Sequence, residues 1–165
     1  EYAYAHNLIP FSVSSPNFGL ARQTCDMWGG GCVSISGPGN EQARQWYREH
    51  KMPVIAYSSL ARGFFSGKVK SDDPSSAMRV LDAFAQKGYV CPDNFERLAR
   101  AQRVAARHGA TVAQIALAFL FASALDAYAV VTTSNPARMQ DNIDALKIDL
   151  TQTEVDYMDL RSDVL

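Results

Sequence analysis

Two short apolar runs, Val54-Ile55-Ala56-Tyr57 and Tyr128 to Thr132, constrain this chain most, because helical sequence fills the space between them. Pro53 precedes the first run, and small polar residues follow both, Ser58-Ser59 and Thr133-Ser134. Strands alternating with helices specify a parallel sheet, since a tight hairpin joins only antiparallel neighbours. A third run, Phe11 to Ser15, has β character behind Ile9-Pro10, and Cys32 to Ser36 offers a further short strand after Gly29-Gly30-Gly31. Three parallel strands cannot close a barrel, and as an open sheet they leave both edges bare. The chain therefore reads as part of an α/β domain, residues 1–165 forming a single incomplete unit.

Local signals place the helices. Asn40 is a suitable N-cap for a helix from Glu41 to His50, with Glu41 at its positive end. Asp93 is expected to cap a helix that runs to His108 and stops at Gly109. Thr111 opens another, Val112 to about Ala124, apolar on so many sides that deep burial is expected. Pro136 to Ala145 follows the last strand, and Thr151 with Glu154 forms a capping box for a final helix. Residues 69–76 are polar and read as a mobile loop. Glu1 to Leu8 is helical from its first residue, with no initiating methionine, which reads as a chain cut from something longer.

Composition excludes several partner classes. An apolar content of 47% against 20% charged residues describes a globular chain with a core. A net charge of −1, with signs interspersed, gives no basis for nucleic-acid or anionic-membrane binding. The longest apolar run, Ile115 to Ala122, is too short to cross a bilayer. Cys25, Cys32 and Cys91 are widely spaced with no CxxC pair, which points to a cytoplasmic chain without disulfide or zinc framework. Asp72, Asp73, Asp93 and Glu96 do not make a metal set.

The segment from Val130 to Asn142 carries the clearest chemistry. It reads as strand, polar turn, then a helix opening on Pro136 with Arg138 in its first turn. A helix N-terminus presents unpaired N–H groups and partial positive charge, and an arginine adds a planar fork suited to phosphate. A phosphorylated ligand fits this arrangement, and so does an ordinary capped helix with a solvated arginine.

Residues 54–68, VIAYSSLARGFFSGK, resemble the seventh-strand motif of aldo-keto reductases. Residues 111–120, TVAQIALAFL, are similar to the family's TPAQVALAWLL helix, and residues 134–142, SNPARMQDN, to the SNPERLEEN motif after its eighth strand. The ending ALKIDLTQTE, from Ala145 to Glu154, is similar to the usual close of such chains. The resemblance implies the C-terminal half of a (β/α)8 TIM barrel, about strands 6–8 with flanking helices, and NADP as cofactor.

It also implies roles at matching positions. Tyr57 corresponds to a tyrosine that stacks on the nicotinamide ring. Ser58, Leu60, Arg62 and Gly63 match the loop along the pyrophosphate, and Lys68 a lysine that adds charge there. Ser134, Asn135 and Arg138 match the contacts to the adenosine 2′-phosphate, and Asp141 and Asn142 the polar groups around adenine. Asp141 stands where the family commonly has a longer Glu, Ser15 where a glutamine holds the carboxamide, and Ser59 where a proline stiffens the loop.

The catalytic tyrosine, lysine, aspartate and histidine of the family come from strands of the other half, and the resemblance finds no counterpart here. His6, His50 and His108 each sit where a helix ends, the ordinary place for a capping cation. Tyr2, Tyr4, Tyr47, Tyr89 and Tyr157 lack a matching Lys and Asp. Trp28 falls near the substrate mouth of the family. Two readings follow: the cofactor-binding half of an NADP-dependent oxidoreductase acting on a small carbonyl or alcohol, completed by a missing N-terminal half or fused domain, or a non-catalytic nucleotide-binding or assembly module that self-associates through its strand edges.

Overall fold

A computed structural model of the 165-residue chain describes every residue except Trp28, so its expected place near a substrate mouth lies outside the described residues. The sheet is parallel. Strand β1 (Val54–Ala56) pairs with β2 (Ala127–Ala129) in the register Val54 to Ala127 and Ala56 to Ala129. Two bridged segments extend it beyond β1. Ser14 pairs with Val54 and Asn17 with Tyr57, while Ser34 pairs with Asn17 on its far side, all parallel. The spatial order is thus Ser34, the 14–17 segment, β1, β2.

The ladder is shorter than the sequence suggests, for local reasons. Residues 11–13 would face residues 51–53 in this register, but Pro53 has no N–H and Lys51 turns left-handed at φ 49°. The expected strand Phe11 to Ser15 therefore contributes only its end, where Ser14 N donates to Pro53 O and Ile55 N to Ser14 O. The expected strand Tyr128 to Thr132 shifts to Ala127–Ala129 in the same way. Ser58, at φ 54°, carries the neighbouring chain away, so among the described residues nothing pairs with Val131 and Thr132 after Val130 N meets Ala56 O.

Helices make up most of the regular structure around the strands. They are α1 (Tyr2–Ala5), α2 (Glu41–Glu49), α3 (Ser75–Val80), α4 (Ala83–Tyr89), α5 (Pro92–His108), α6 (Val112–Phe121), α7 (Pro136–Asp144) and α8 (Gln152–Met158). Val54 and Ala56 are wholly buried against Phe18, Ile35 and Leu120, with Ala43 and Tyr47 of α2 closing over them. Period-two geometry sends the alternate residues to the other face. There Ile55, Tyr128 and Val130 stay 38%, 57% and 49% exposed. The larger core lies between α4, α5, α6, α8 and the loop after β1, where Phe64, Phe65, Tyr89, Leu98, Ile115 and Met158 are buried.

Several helix boundaries answer to local chemistry. Both capping boxes form, Thr111 with Gln114 and Thr151 with Glu154. Helix α5 starts at Pro92 behind Cys91 rather than behind Asp93, because proline is preorganised for the first helical position. Helix α6 stops at Phe121, short of Ala124, which takes a left-handed φ of 58°. Asn40 does not cap α2 with its side chain; its amide donates to Ser36 O at 2.7 Å instead. Residues 69–76 are not a bare loop: Val69 is buried, Lys70 N donates to Ser76 Oγ, and α3 begins at Ser75.

The histidines split. His50 follows the expectation, with Nδ1 2.8 Å from Trp46 O. His6 closes α1 with its ring over Tyr2. His108 does more than end a helix: its Nε2 lies 2.8 Å from Glu154 Oε1, which ties α5 to the capping box of α8. Burial pushes the Glu154 carboxyl up, but hydrogen bonds from Thr151 and His108 outweigh it and hold that group below the usual carboxylate range. Among the described residues no single helix is long and apolar enough to cross a membrane.

Candidate functional site

Parallel pairing puts the C-terminal ends of the strands side by side, and the polar loops emerge there together. Ser59 is buried and bridges the two: its hydroxyl is 3.0 Å from Ala56 O and 3.5 Å from Val130 O. The serine that stands in place of a proline therefore ties the loop down instead of loosening it. Close approach continues on the other side, where a Cβ at Gly19 would fall 2.8 Å from Ser59 O.

The loop after β1 holds an unusual backbone. Ser58, Ala61 and Arg62 have φ of 54°, 50° and 51°, and Gly63 follows at 97°. Left-handed non-glycine residues cost about 1–3 kcal/mol each and persist only when their surroundings impose them. Within the turn, Ala61 N donates to Ser58 O and Gly63 N to Leu60 O. The amides of Ser58, Ser59 and Leu60 donate to no acceptor among the described residues. The Leu60 side chain packs on the main core, and Lys68 stands exposed beyond the turn.

Tyr57 projects on the open face of the sheet, at the mouth of this loop. Its phenol oxygen is buried without a hydrogen-bond partner among the described residues. Burial first, then the neighbouring Cys32 and Tyr89, push its pKa up to about 12, so the ring is neutral at any ordinary pH. Such a group is a flat platform and a poor proton donor. Ser15 lies on the same face, one strand over, where its hydroxyl donates to Ile55 O at 2.7 Å.

At the second loop, the expected anion site is partly self-filled. Asn135 caps α7, its Oδ1 accepting from Ala137 N at 2.9 Å and Arg138 N at 3.3 Å. Those amides are taken, so an anion there meets side chains instead. Arg138 is exposed, and its guanidinium has no carboxylate partner among the described residues. Asp141 and Asn142 sit one turn on, at the spacing that shares a helix face with Arg138. Ser134 is exposed in the turn just before.

Two residues that matter to this geometry are not evident from the sequence. Asn17 is buried at the junction of three segments. Its Nδ2 donates to Tyr57 O and Tyr89 Oη, and its Oδ1 accepts from Ser34 Oγ. Asp82 pairs with Arg62 at 2.7 Å across the loop. An Asp at the start of Ala83–Tyr89 is a visible N-cap signal, but its second partner is not.

The fold superposes on a solved thermostable aldo-keto reductase, crystallised with the inhibitor epalrestat, with a TM-score of 0.57 at 17% identity; the match covers 93% of this chain and 40% of that one. That likeness shows the fold, an α/β unit with parallel strands that makes up part of a (β/α)8 barrel. Aldo-keto reductase str7 of Strobilurus tenacellus is 29% identical over 111 residues, 66% of this chain and 32% of the relative. The NADP(+) aldo-keto reductase yakc of Schizosaccharomyces pombe is 29% identical over 110 residues, with 66% and 32% covered. This chain spans about a third of the length of the curated relatives it matches. The profile of the aldo/keto reductase family matches residues 39–161, from the approach to α2 through the end of α8, and the chain belongs to that family.

Proposed function

We propose that this chain carries the dinucleotide-holding part of an NADP-dependent oxidoreductase of aldo-keto reductase type. NADPH, when bound, supplies the hydride exchanged with a small carbonyl or alcohol; the proton-donating tyrosine and its lysine, aspartate and histidine belong to residues outside these 165. The observation that carries the reading is the shared register of β1 and β2, which brings Arg138 and a turn to one end of the sheet, the arginine without a carboxylate partner and the turn with amides free among the described residues. One homologue is named for NADP(+). The three free cysteines suit the reducing cytoplasm.

Roles follow from placement. The free amides of Ser58, Ser59 and Leu60, beside Gly63, lie along the pyrophosphate, with Lys68 adding charge at the rim. Arg138 and Ser134 take the 2′-phosphate, Asn135 holds the helix end in shape, and Asp141 with Asn142 face the adenine. Tyr57 offers its ring to the nicotinamide. Stacking of this kind contributes about 0.5–1.5 kcal/mol beyond buried area, so Tyr57→Ala is expected to weaken NADPH binding by several-fold and to alter nicotinamide fluorescence. Unchanged affinity together with an unchanged ring environment would remove Tyr57 from the site.

The primary test is a fluorescence titration of the chain with NADPH and then NADH. Micromolar binding with a strong preference for NADPH supports the reading; binding of neither refutes a preformed site in this portion. A second reading, a non-catalytic assembly module, draws on the open sheet face with Ile55, Tyr128 and Val130 and on the exposed arm at Ile9 and Phe11. Three-residue strands offer few free edge bonds, so association is expected through this face more than through the edges. Sedimentation of the 165-residue chain should show concentration-dependent association, reduced by Tyr128→Lys. A compact monomer at every concentration would contradict it.

A further inference from the structure

The loop after β1 keeps a strained backbone, with Ser58, Ala61 and Arg62 left-handed, so its surroundings must hold it. Ser59 secures the strand side. On the helix side stands Asp82, which closes the turn between α3 and α4. Its two carboxylate oxygens do different jobs: Oδ1 accepts from Ala85 N at 2.7 Å and caps α4, while Oδ2 accepts from Arg62 Nη2 at 2.7 Å. Arg62 is itself one of the left-handed residues, at φ 51°, and its guanidinium also lies 5.9 Å from the Phe84 ring centroid. The charged bond therefore joins the start of α4 directly to a left-handed residue of the loop. Arg62 and then the Ala85 amide hold the Asp82 carboxyl below the usual carboxylate range.

We propose that Asp82 is a positioning residue for the phosphate-holding loop: through Arg62 it keeps residues 58–63 in the conformation that leaves the Ser58, Ser59 and Leu60 amides free for the dinucleotide. The inference rests on the nucleotide reading above and adds to it a residue that faces no ligand. It also reassigns Arg62, whose side chain is an anchor to α4 and whose backbone faces the phosphates. Preorganisation of this sort lowers the ordering cost of binding without discriminating between ligands that share the held group. Both NADPH and NADH carry the pyrophosphate, so both should suffer equally when the anchor is lost. That distinguishes Asp82 from Arg138, whose loss should separate the two cofactors.

The test is a double-mutant cycle with Asp82→Asn and Arg62→Met, read by titration with NADPH and NADH. Asparagine retains an oxygen for the Ala85 amide and removes the charge. Each single variant is expected to weaken both cofactors by about three- to fivefold, the upper range for an exposed ion pair, and the double variant by no more than either alone. Amide exchange of residues 58–63 in the free protein should rise in Asp82→Asn while α4 stays protected. If the wild-type chain binds NADPH and Asp82→Asn binds it within about twofold of wild type, the positioning role is overturned and the nucleotide reading stands. Additive losses in the double variant likewise overturn it. Wild-type protein that binds neither cofactor refutes the nucleotide reading, and the role of Asp82 falls with it.

Discussion

Replacing Arg138 with alanine is expected to cost NADPH affinity by a factor of about 10 to 100 while NADH binding barely changes. The two cofactors differ only at the 2′ position, so a change confined to one of them locates the contact. Arg138 stands in the first turn of α7 with no carboxylate partner among the described residues, and the helix-end amides of Ala137 and Arg138 are occupied by Asn135. The 2′-phosphate must then depend chiefly on this guanidinium. A charge-assisted bond of that type contributes about 1.5–3 kcal/mol, which gives the stated factor. Lysine should recover only part of the loss, because a point charge cannot make the forked contact. Equal losses for NADPH and NADH would place Arg138 elsewhere than at the 2′-phosphate.

The largest effect on stability is expected at Asp159. Its side chain is 5% exposed and faces Arg97, which is 1% exposed, at 3.4 Å; Arg97 Nη2 also donates to Asp159 O at 3.3 Å. This pair joins α5 to the end of α8. It is not an ideal pair, since Arg97 Nε and Nη1 find no acceptor among the described residues. Burial raises the Asp159 pKa despite Arg97 and Arg161 nearby, and burial lowers that of Arg97. Removing one partner strands the other charge in the core, which typically costs about 3–5 kcal/mol. Asp159→Ala should therefore shift the urea midpoint strongly. The double replacement Arg97→Met with Asp159→Leu should restore most of it, because the desolvation cost of both ions disappears together. A loss below about 1 kcal/mol in Asp159→Ala, the range of an exposed pair, would mean that the site admits water.

What could be read from the chain divides along a physical line. Thr111 caps its helix and Thr151 with Glu154 closes its box as expected, because these bonds join residues three apart; Gln114 completes a second box at Thr111. Asn40 has the same capping chemistry and fails, since Ser36 O competes successfully for its side chain. Helices α3 and α4 were not legible: they are short, and α3 is held by the burial of Val69 and Ala77 more than by its own pattern. The strand runs were visible as apolar stretches, but their lengths were not. Pro53 and the left-handed Lys51 cut short the pairing of residues 11–13, and Ser58 ended the partner of Val131.

The site shows the same division. Tyr57, the residues of the 58–63 turn and Arg138 stand out in sequence because they form contiguous motifs. Asn17 and Asp82 do not, because their partners Tyr57 and Arg62 lie 40 and 20 residues away. Ser59 illustrates the point at a single position: sequence marks it as a departure from proline, and only the neighbouring strand, 71 residues on, makes it a tie between loops.

By itself the sequence determined the parallel α/β class, the family, and the caps at Thr111 and Thr151, since these depend on residue order and on hydrogen bonds closed within a turn. Only the tertiary structure decided how long each strand is, which sheet face is covered, and which side chains hold the loop after β1. A ladder bond or an ion pair exists only once its distant partner is in place, and no local pattern carries that information.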